Sequence, residues 1–178
     1  SVAALRSPAW LLSSLEPADA LHGLVPRSTR CAAGQSWTWD GVEFAVLHPA
    51  REPVSRKPND RSCVLRIATR GGAMLLTGDI EARSESEMLG RKARLDADLL
   101  LVPHHGSRAS STAAFLGAVA PAIGILGVGH RNRFGHPHPA VVARYWVSGV
   151  ALRRTDREGA LRAVLPAHSG ARPTVEAR

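Results

Sequence analysis

Apolar and polar residues alternate over residues 37–47, where the sequence is Trp-Thr-Trp-Asp-Gly-Val-Glu-Phe-Ala-Val-Leu. A period of two is typical of half-buried strands, and Asp40-Gly41 is a favoured pair for the tight turn between two of them. A second alternating pair, residues 62–68 and 73–77, flanks the Gly-containing turn at 69–72. The pattern therefore predicts two β-hairpins in the first half of the chain.

The second half of the chain alternates between short apolar runs and amphipathic segments. The predicted elements are a helix over 81–94, a strand over 98–102, a helix capped by Ser110 or Ser111 that ends at Val119, a strand over 123–128, a helix over 139–147, and a final hairpin of 151–155 with 160–165. Hairpins combined with strand-helix-strand units indicate a mixed sheet, so the fold class is α/β or α+β.

Composition narrows the class of protein. The chain has 178 residues, of which 44% are hydrophobic and 21% are charged. These values describe a globular chain with one core, and they exclude collagen, coiled coil and wholesale disorder. The longest apolar run, residues 113–129, contains Pro121 and several glycines, so no transmembrane helix is predicted. The start at Ser1 has no signal-peptide pattern and no initiator Met, and we expect a piece of a longer protein.

Charge and cysteine content leave alternatives open. The formal net charge is +8, which suits a phosphate-rich partner, but the basic residues are spread along the chain rather than gathered into a run. Charge alone therefore favours nucleic-acid contact only weakly. Cys31 and Cys63 are compatible with one disulfide or with two free thiols, and their spacing does not match a zinc knuckle.

Three polar clusters follow predicted strands, at Gly78-Asp79, at residues 104–107 (His-His-Gly-Ser) and at residues 132–137 (Asn-Arg-Phe-Gly-His-Pro). Carboxylate and imidazole groups are ligands of Zn or Mn, and such ions polarise phosphate and activate water. Asp79 alone is more typical of a turn after a strand than of a ligand. The adjacent His104 and His105 favour metal binding or catalysis, and His136 is evenly balanced between a ligand, a substrate contact and loop packing.

Taken in order, several motifs carry a resemblance to a known family. They are Cys31-x2-Gly-Gln-Ser-Trp-x-Trp-Asp-Gly41, Asn-Asp-Arg-Ser-Cys-Val-Leu from Asn59, Leu-Leu-Thr-Gly-Asp-Ile-Glu from Leu75, Val-Pro-His-His-Gly-Ser from Val102, Asn-Arg-Phe-Gly-His-Pro from Asn132 and Arg-Thr-Asp-Arg-Glu-Gly from Arg154. Over about residues 1–165 the chain resembles the C-terminal metallo-β-lactamase-like domain of the ComEC family, the bacterial inner-membrane channel for uptake of transforming DNA.

The resemblance implies a metallo-β-lactamase-like αβ/βα sandwich over residues 1–166, and the Pro-, Gly- and Arg-rich composition of 167–178 predicts a disordered tail. The resemblance also implies two divalent metals, Zn or Mn, and metal-dependent hydrolysis of DNA. By motif, the catalytic and metal-ligating residues are Asp79 as a bridging ligand, His105 as a terminal ligand and His104 as its partner, and the substrate-binding residues are Asn59, Ser107, Arg133 and His136. Asn59 stands where many relatives place a ligating His.

One departure from the family limits these expectations. The superfamily's His-x-Asp-x-Asp-His motif is absent from the sequence, so we expect an N-terminally truncated domain. In this chain the metals should be absent or substoichiometric, hydrolysis should be largely lost, and an exposed strand edge should favour self-association.

The expected partners are DNA and the transmembrane channel part of the same protein, with the parent in the inner membrane and this domain on the periplasmic side. The alternatives are a noncatalytic DNA-guiding domain of the same channel and a superfamily hydrolase of a smaller phosphodiester.

Overall fold

A computed structural model describes residues 8–16, 19–52 and 57–178. Its strands are β1 (Leu11–Ser13), β2 (Ser28–Arg30), β3 (Ser36–Trp39), β4 (Val42–His48), β5 (Val64–Thr69), β6 (Gly72–Leu76), β7 (Leu99–Leu101), β8 (Ile123–Leu126), β9 (Ala151–Arg154), β10 (Leu161–Val164) and β11 (Thr174–Ala177). Its α-helices are α1 (Ala82–Gly90), α2 (Ala113–Val119), α3 (Pro139–Val147) and α4 (Thr155–Glu158), and short 3-10 turns span Ala20–Leu24, Asn59–Arg61 and Pro103–Gly106. Within these described ranges, no helix has the length and apolar character needed to cross a membrane.

The centre of the molecule is a seven-stranded mixed sheet with strand order β3-β4-β5-β6-β7-β8-β9. The strands from β3 to β6 are joined as antiparallel neighbours, and β6, β7, β8 and β9 run parallel. Both predicted hairpins are confirmed, and the first turns at Asp40 and Gly41, whose φ angles are 49° and 77°. The expected mixed α/β class is therefore correct.

The helices cover one face of this sheet and enclose the main hydrophobic core. Leu75 and Leu100 from adjacent strands are fully buried there, in a cluster that includes Met88 of α1, Phe115 of α2 and Tyr145 of α3. Because side chains alternate along a strand, the neighbouring positions point to the opposite face. The amphipathic helices are therefore placed by burial of their apolar stripes against alternate strand residues.

The opposite face carries a second, smaller core under the two-stranded sheet of β10 and β11. Leu99 and Ile125 of the central sheet are buried against Val175 of β11. The predicted hairpin of 151–155 with 160–165 is wrong, because β9 pairs in parallel with β8 while β10 pairs antiparallel with β11.

Ion pairs between the end of β9 and α4 accompany that difference. Arg153 Nε donates to Glu158 Oε2 at 2.6 Å, and Arg154 donates to both oxygens of Asp156 at 2.7 and 3.0 Å. These contacts wind the predicted turn into the helical turn α4, so the chain leaves the central sheet instead of folding back along β9. The sequence also predicts a disordered tail from residue 167, whereas Thr174–Ala177 pairs with β10 and buries Val175.

A disulfide joins Cys31 to Cys63, with the two Cα atoms 6.0 Å apart. It decides between the two interpretations that the sequence allows for the cysteines. The bond ties the segment after β2 to the residue that precedes β5, beside an aromatic cluster in which the Trp37 ring stacks on Phe44 and meets Trp10 edge-on. The small sheet of β1 and β2 is thereby fixed to the central sheet.

Helix α2 begins at a buried hydrogen-bond network. Its cap is Thr112, which accepts from the Phe115 N–H at 3.3 Å, so the prediction of Ser110 or Ser111 as the cap is wrong by one or two positions. The Glu85 carboxylate of α1 is fully buried and accepts from the N–H groups of Ser111 and Thr112 at 2.5 and 2.8 Å. Burial raises the pKa of Glu85, partly offset by these bonds. The carboxylate thus satisfies donors that a helix start leaves without partners.

Replacing Glu85 with Ala should lower the free energy of unfolding by about 2–3 kcal/mol, because two buried backbone donors lose their acceptor. The control is Glu87→Ala in the same helix, since Glu87 pairs with Arg83 near the surface and such pairs contribute under about 1 kcal/mol. Urea denaturation followed by circular dichroism measures both. Equal losses for the two variants would contradict the structural role of Glu85.

Candidate functional site

The predicted site residues lie along one rim of the central sheet. The carboxyl ends of the parallel strands β6, β7 and β8 meet at this rim, and the chain enters antiparallel β5 from the same side. Residues after Leu76, Leu101 and Leu126 and residues before Val64 are therefore neighbours, although they are far apart in sequence. Sheets of this kind present ligand-binding groups at the carboxyl ends of their parallel strands.

The two adjacent histidines occupy a strained turn. His104 and His105 have φ angles of 47° and 53°, in the left-handed region that non-glycine residues enter at a cost of about 1 kcal/mol or more each. The His104 N–H donates to the Gly78 carbonyl at 3.0 Å, and Ser110 Oγ donates to the Pro103 carbonyl at 2.9 Å. Neighbouring strand ends therefore hold the turn in this conformation.

Gly106 completes the turn at a close approach to the next loop. Its φ is 76°, and a Cβ there would lie 2.7 Å from Cβ of Pro137. The Gly106 carbonyl also accepts from the His138 N–H at 2.9 Å. The histidine turn and the loop that carries His136 are therefore packed directly against each other.

Asp79 and His105 form an exposed pair at the centre of the rim. Oδ1 of Asp79 lies 3.6 Å from Nε2 of His105, and the two side chains are 46% and 57% exposed. Nδ1 of His105 is 2.6 Å from the Gly127 carbonyl oxygen, which can only accept, so Nδ1 carries a proton. In the neutral ring Nε2 then carries no proton, and its lone pair faces the Asp79 carboxylate. Two acceptors that face each other at this distance can share a proton or a cation.

His104 faces a different carboxylate. Its Nδ1 lies 3.3 Å from Oε1 of Glu81, but the buried Nδ1 is not aligned for a hydrogen bond. The same Glu81 oxygen accepts from Asn59 Nδ2 at 3.3 Å. Glu81 therefore accepts a hydrogen bond from Asn59, whereas its contact with His104 is electrostatic only.

Glu81 is the site residue that the sequence analysis misses. It belongs to the Gly-Asp-Ile-Glu motif quoted for the resemblance, two positions after Asp79 and across the fully buried Ile80. This spacing is the signal in the sequence that points to Glu81. Because Ile80 between them is buried, the partly exposed carboxylates of Asp79 and Glu81 both stay near the same rim.

The loop after β8 carries a ring cluster. Asn132 shapes the loop by donating to the His136 carbonyl at 2.6 Å and accepting from the His136 N–H at 3.0 Å. The His136 ring lies 5.9 Å from the His104 ring and 6.0 Å from the Phe134 ring, measured between centroids. The Arg133 guanidinium lies 4.9 Å from the Phe134 centroid. Desolvation lowers the pKa of His136, and the nearby imidazoles of His104 and His105 lower it further.

The rim brings together Asp79, His104, His105, Asn59 and His136. Arg133 is exposed on the adjacent loop, where its guanidinium contacts Phe134 rather than the Asp79–His105 pair. The resolved contacts of Ser107 lie in the turn, since its N–H donates to the His104 carbonyl at 2.8 Å and its Oγ accepts from the Ala109 N–H at 3.4 Å.

The rim offers two facing donors, one from Asp79 and one from His105, to a metal ion. Ligand distances of about 2.0–2.2 Å to nitrogen and oxygen allow a single ion to contact both members of a pair 3.6 Å apart. The bond from His105 to the Gly127 carbonyl is the usual orienting contact of a metal-ligating imidazole. Among residues 8–16, 19–52 and 57–178, however, no three His, Cys, Asp or Glu side chains are grouped to hold an ion.

Comparison with known proteins finds similar segments in competence proteins. The chain is 41% identical over 133 residues to "Competence protein ComA" of Neisseria gonorrhoeae, which is 74% of this chain and 19% of that protein. It is 34% identical over 134 residues to "Recombination protein 2" of Haemophilus influenzae, covering 75% and 17%, and 36% identical over 121 residues to "ComE operon protein 3" of Bacillus subtilis, covering 67% and 15%. No family model matches the chain.

These similarities support a competence-protein family for this stretch of sequence. The chain spans less than a fifth of the length of each of these three relatives.

His136 should titrate below the usual histidine range, because burial and two neighbouring imidazoles disfavour its charged form. Replacing His104 with Gln should raise the pKa of His136, while His168→Gln, at an exposed position in the segment before β11, should leave it unchanged. Proton–nitrogen correlation spectra recorded against pH measure the pKa.

The same shift predicts how stability changes with pH. The unfolded chain binds the His136 proton more readily than the folded one, so the contribution of His136 to stability is lost as pH falls below the ordinary histidine pKa. A pKa for His136 at or above the ordinary value would contradict the packing described for this ring cluster.

Proposed function

We propose that this chain takes part in the uptake of DNA as part of a competence protein, and that its sheet rim acts on the phosphodiester backbone. The observation that carries the proposal is the pair of Asp79 and His105, whose facing acceptor atoms 3.6 Å apart can share a proton or a cation. The similarity to competence proteins supplies the biological setting. We further propose the metallo-β-lactamase-like sandwich as the fold family, and a periplasmic position beside the channel part of an inner-membrane parent.

The reaction class proposed for the rim is phosphodiester hydrolysis assisted by one divalent cation. Asp79 and His105 are the residues that would hold the ion, and when bound it supplies a Lewis acid and an activated water. The Gly127 carbonyl fixes the His105 ring so that Nε2 keeps facing Asp79. His136, with its lowered pKa, is a neutral ring at neutral pH, and its ring N–H can donate a hydrogen bond to a phosphate oxygen.

Binding of the backbone follows from charge. The chain carries a net charge of +8, which favours a polyanion over a neutral substrate. Arg133 is exposed on the loop beside the rim and can neutralise a phosphate next to the reacting one. Asn59 can donate a hydrogen bond to a phosphate oxygen if it is released from Glu81.

A second candidate function is a noncatalytic DNA-guiding domain. It is favoured by the shortage of ligands, because the part of the chain that the structure describes groups no three side chains around an ion. Both candidates predict salt-dependent DNA binding, and they differ only in whether the backbone is cut. Cleavage that depends on Asp79 and His105 is therefore the deciding measurement.

Metal binding by this chain should be weak and substoichiometric. After incubation with Mn²⁺ or Zn²⁺ and dialysis, elemental analysis should find less than about one ion per chain, since two ligands are fewer than the three that catalytic zinc sites use. Asp79→Asn should remove the remaining metal. The matched control is Asp40→Asn, which lies in an exposed turn with φ of 49° that Asn also adopts. About two tightly bound ions per chain would contradict this expectation.

Hydrolysis of labelled DNA should be slow, should increase with millimolar Mn²⁺ and should stop with chelator. His105→Gln should abolish it, because the variant side chain cannot accept the proton or hold the ion as imidazole does. His168→Gln, exposed and remote in sequence from the rim turns, serves as the control. Gel separation of products against time measures the rate.

Two results would overturn the hydrolase. Equal cleavage by wild type and by both rim variants, Asp79→Asn and His105→Gln, would assign the activity to a contaminant. Tight DNA binding with no cleavage at any Mn²⁺ concentration would leave the guiding domain as the function.

A further inference from the structure

A cavity of about 330 Å³ opens beside the candidate site, between the histidine turn and the loop after β8. Its wall includes His105, Gly127, Gly129, Phe134 and His136. His105 therefore lines the cavity and also faces Asp79, so an occupant would lie directly beside the Asp79–His105 pair. The volume is at the lower end of the about 300–1,000 Å³ typical of small-molecule sites.

Two glycines keep the cavity open. A Cβ built at Gly127 or at Gly129 meets no atom within 4 Å, and neither residue has the left-handed φ that would require glycine. Backbone geometry therefore permits side chains at both positions, and the space in front of them is empty of protein atoms. A side chain introduced there would fill the cavity without disturbing the loop.

One wall of the cavity is an aromatic ring with most of its surface in solvent. Phe134 is 67% exposed, and its neighbours are the His136 ring at 6.0 Å and the Arg133 guanidinium at 4.9 Å from its centroid. A largely exposed aromatic ring with an arginine over it is a combination on which single-stranded nucleic acids stack their bases, and a stacked base would take the place of the Arg133 guanidinium. The loop is held in place by the paired hydrogen bonds of Asn132, so the ring is positioned before a ligand arrives.

We propose that this cavity binds one unpaired nucleobase of single-stranded DNA, stacked on Phe134, while the adjoining phosphodiester lies at the Asp79–His105 pair. The inference rests on the proposed function, because it takes DNA as the substrate and adds that the strand must be single. A base in a duplex is stacked and paired and cannot enter the cavity without being extruded. The site is indifferent to sequence, since every base offers a planar face.

The test compares three labelled probes by fluorescence anisotropy: an oligothymidylate of about 12 nucleotides, an abasic strand of equal charge, and a duplex of equal length. Wild type should bind the oligothymidylate about tenfold more tightly than the abasic strand. Phe134→Ala should remove this advantage and leave the affinity for the abasic strand and for the duplex unchanged.

A second variant tests the cavity itself. Gly129→Leu should fill the space and reduce oligothymidylate binding about tenfold, with thermal unfolding as in wild type. The control is Gly117→Leu on the exposed side of α2, where a Cβ also meets no atom within 4 Å. This control should bind all three probes as wild type does.

The possible results distinguish failure of the base site from failure of DNA binding altogether. Equal wild-type affinity for the oligothymidylate and the abasic strand, or equal weakening of all three probes by Phe134→Ala, would overturn the base site while DNA binding stands. Absence of salt-dependent binding to any probe would overturn the proposed function and the base site with it.

Discussion

The parallel arrangement of β6, β7, β8 and β9 determines where every candidate functional group lies. Each of these strands is followed by a turn at the same edge of the sheet, and side-chain hydrogen bonds link those turns across the strands. Thr77 Oγ1 donates to the Leu101 carbonyl at 2.7 Å, and Thr155 Oγ1 accepts from the Val128 N–H at 2.8 Å. The hydroxyls thus extend the ladder by one residue beyond the strands and hold the rim at fixed spacing.

The strain at His104 and His105 is sustained by buried polar contacts behind the rim. After the histidine turn, the chain passes Ser111, whose φ is 58° and whose hydroxyl lies 3.2 Å from the Tyr145 hydroxyl. Arg144 donates to the carbonyls of Ser110 and Ser111, and Glu85 accepts from the backbone on the other side. Burial raises the pKa of the Tyr145 hydroxyl and keeps it protonated. Such a network stabilises the surrounding structure enough to hold His104 and His105 in their unfavourable left-handed conformation.

Sequence patterning predicts those parts of the fold whose contacts are local. The two hairpins and helix α3, which spans Pro139–Val147 as predicted, depend on alternation, turn residues and a proline start. The strand pairing of β10 depends on Arg153 meeting Glu158 and on a partner strand ten residues downstream, Thr174–Ala177, in a segment whose composition resembles a frayed tail. At the rim, the order of the motifs predicts Asp79 and His105 as site residues. Glu81 is identified only by the fold, which places it beside His104 and Asn59. Long-range pairing of this kind leaves no period in the sequence.

In the proposed function, the electrostatics of the rim link binding of a cation to binding of a phosphate. Under the proposed function, Asp79 and Glu81 place two carboxylates at a surface that would have to accept a polyanion, and a phosphate brought near them is repelled unless positive charge intervenes. Protonation of His105 supplies one such charge, and a cation shared by Asp79 and His105 supplies a larger one in the same place. In that proposal the net charge of +8 would draw the strand to the molecule, and the charge between Asp79 and His105 would decide whether the phosphodiester reaches this pair. Occupancy of this one position would therefore couple the proposed DNA binding to the proposed chemistry on the backbone, and a base held on Phe134 would fix which phosphate arrives there.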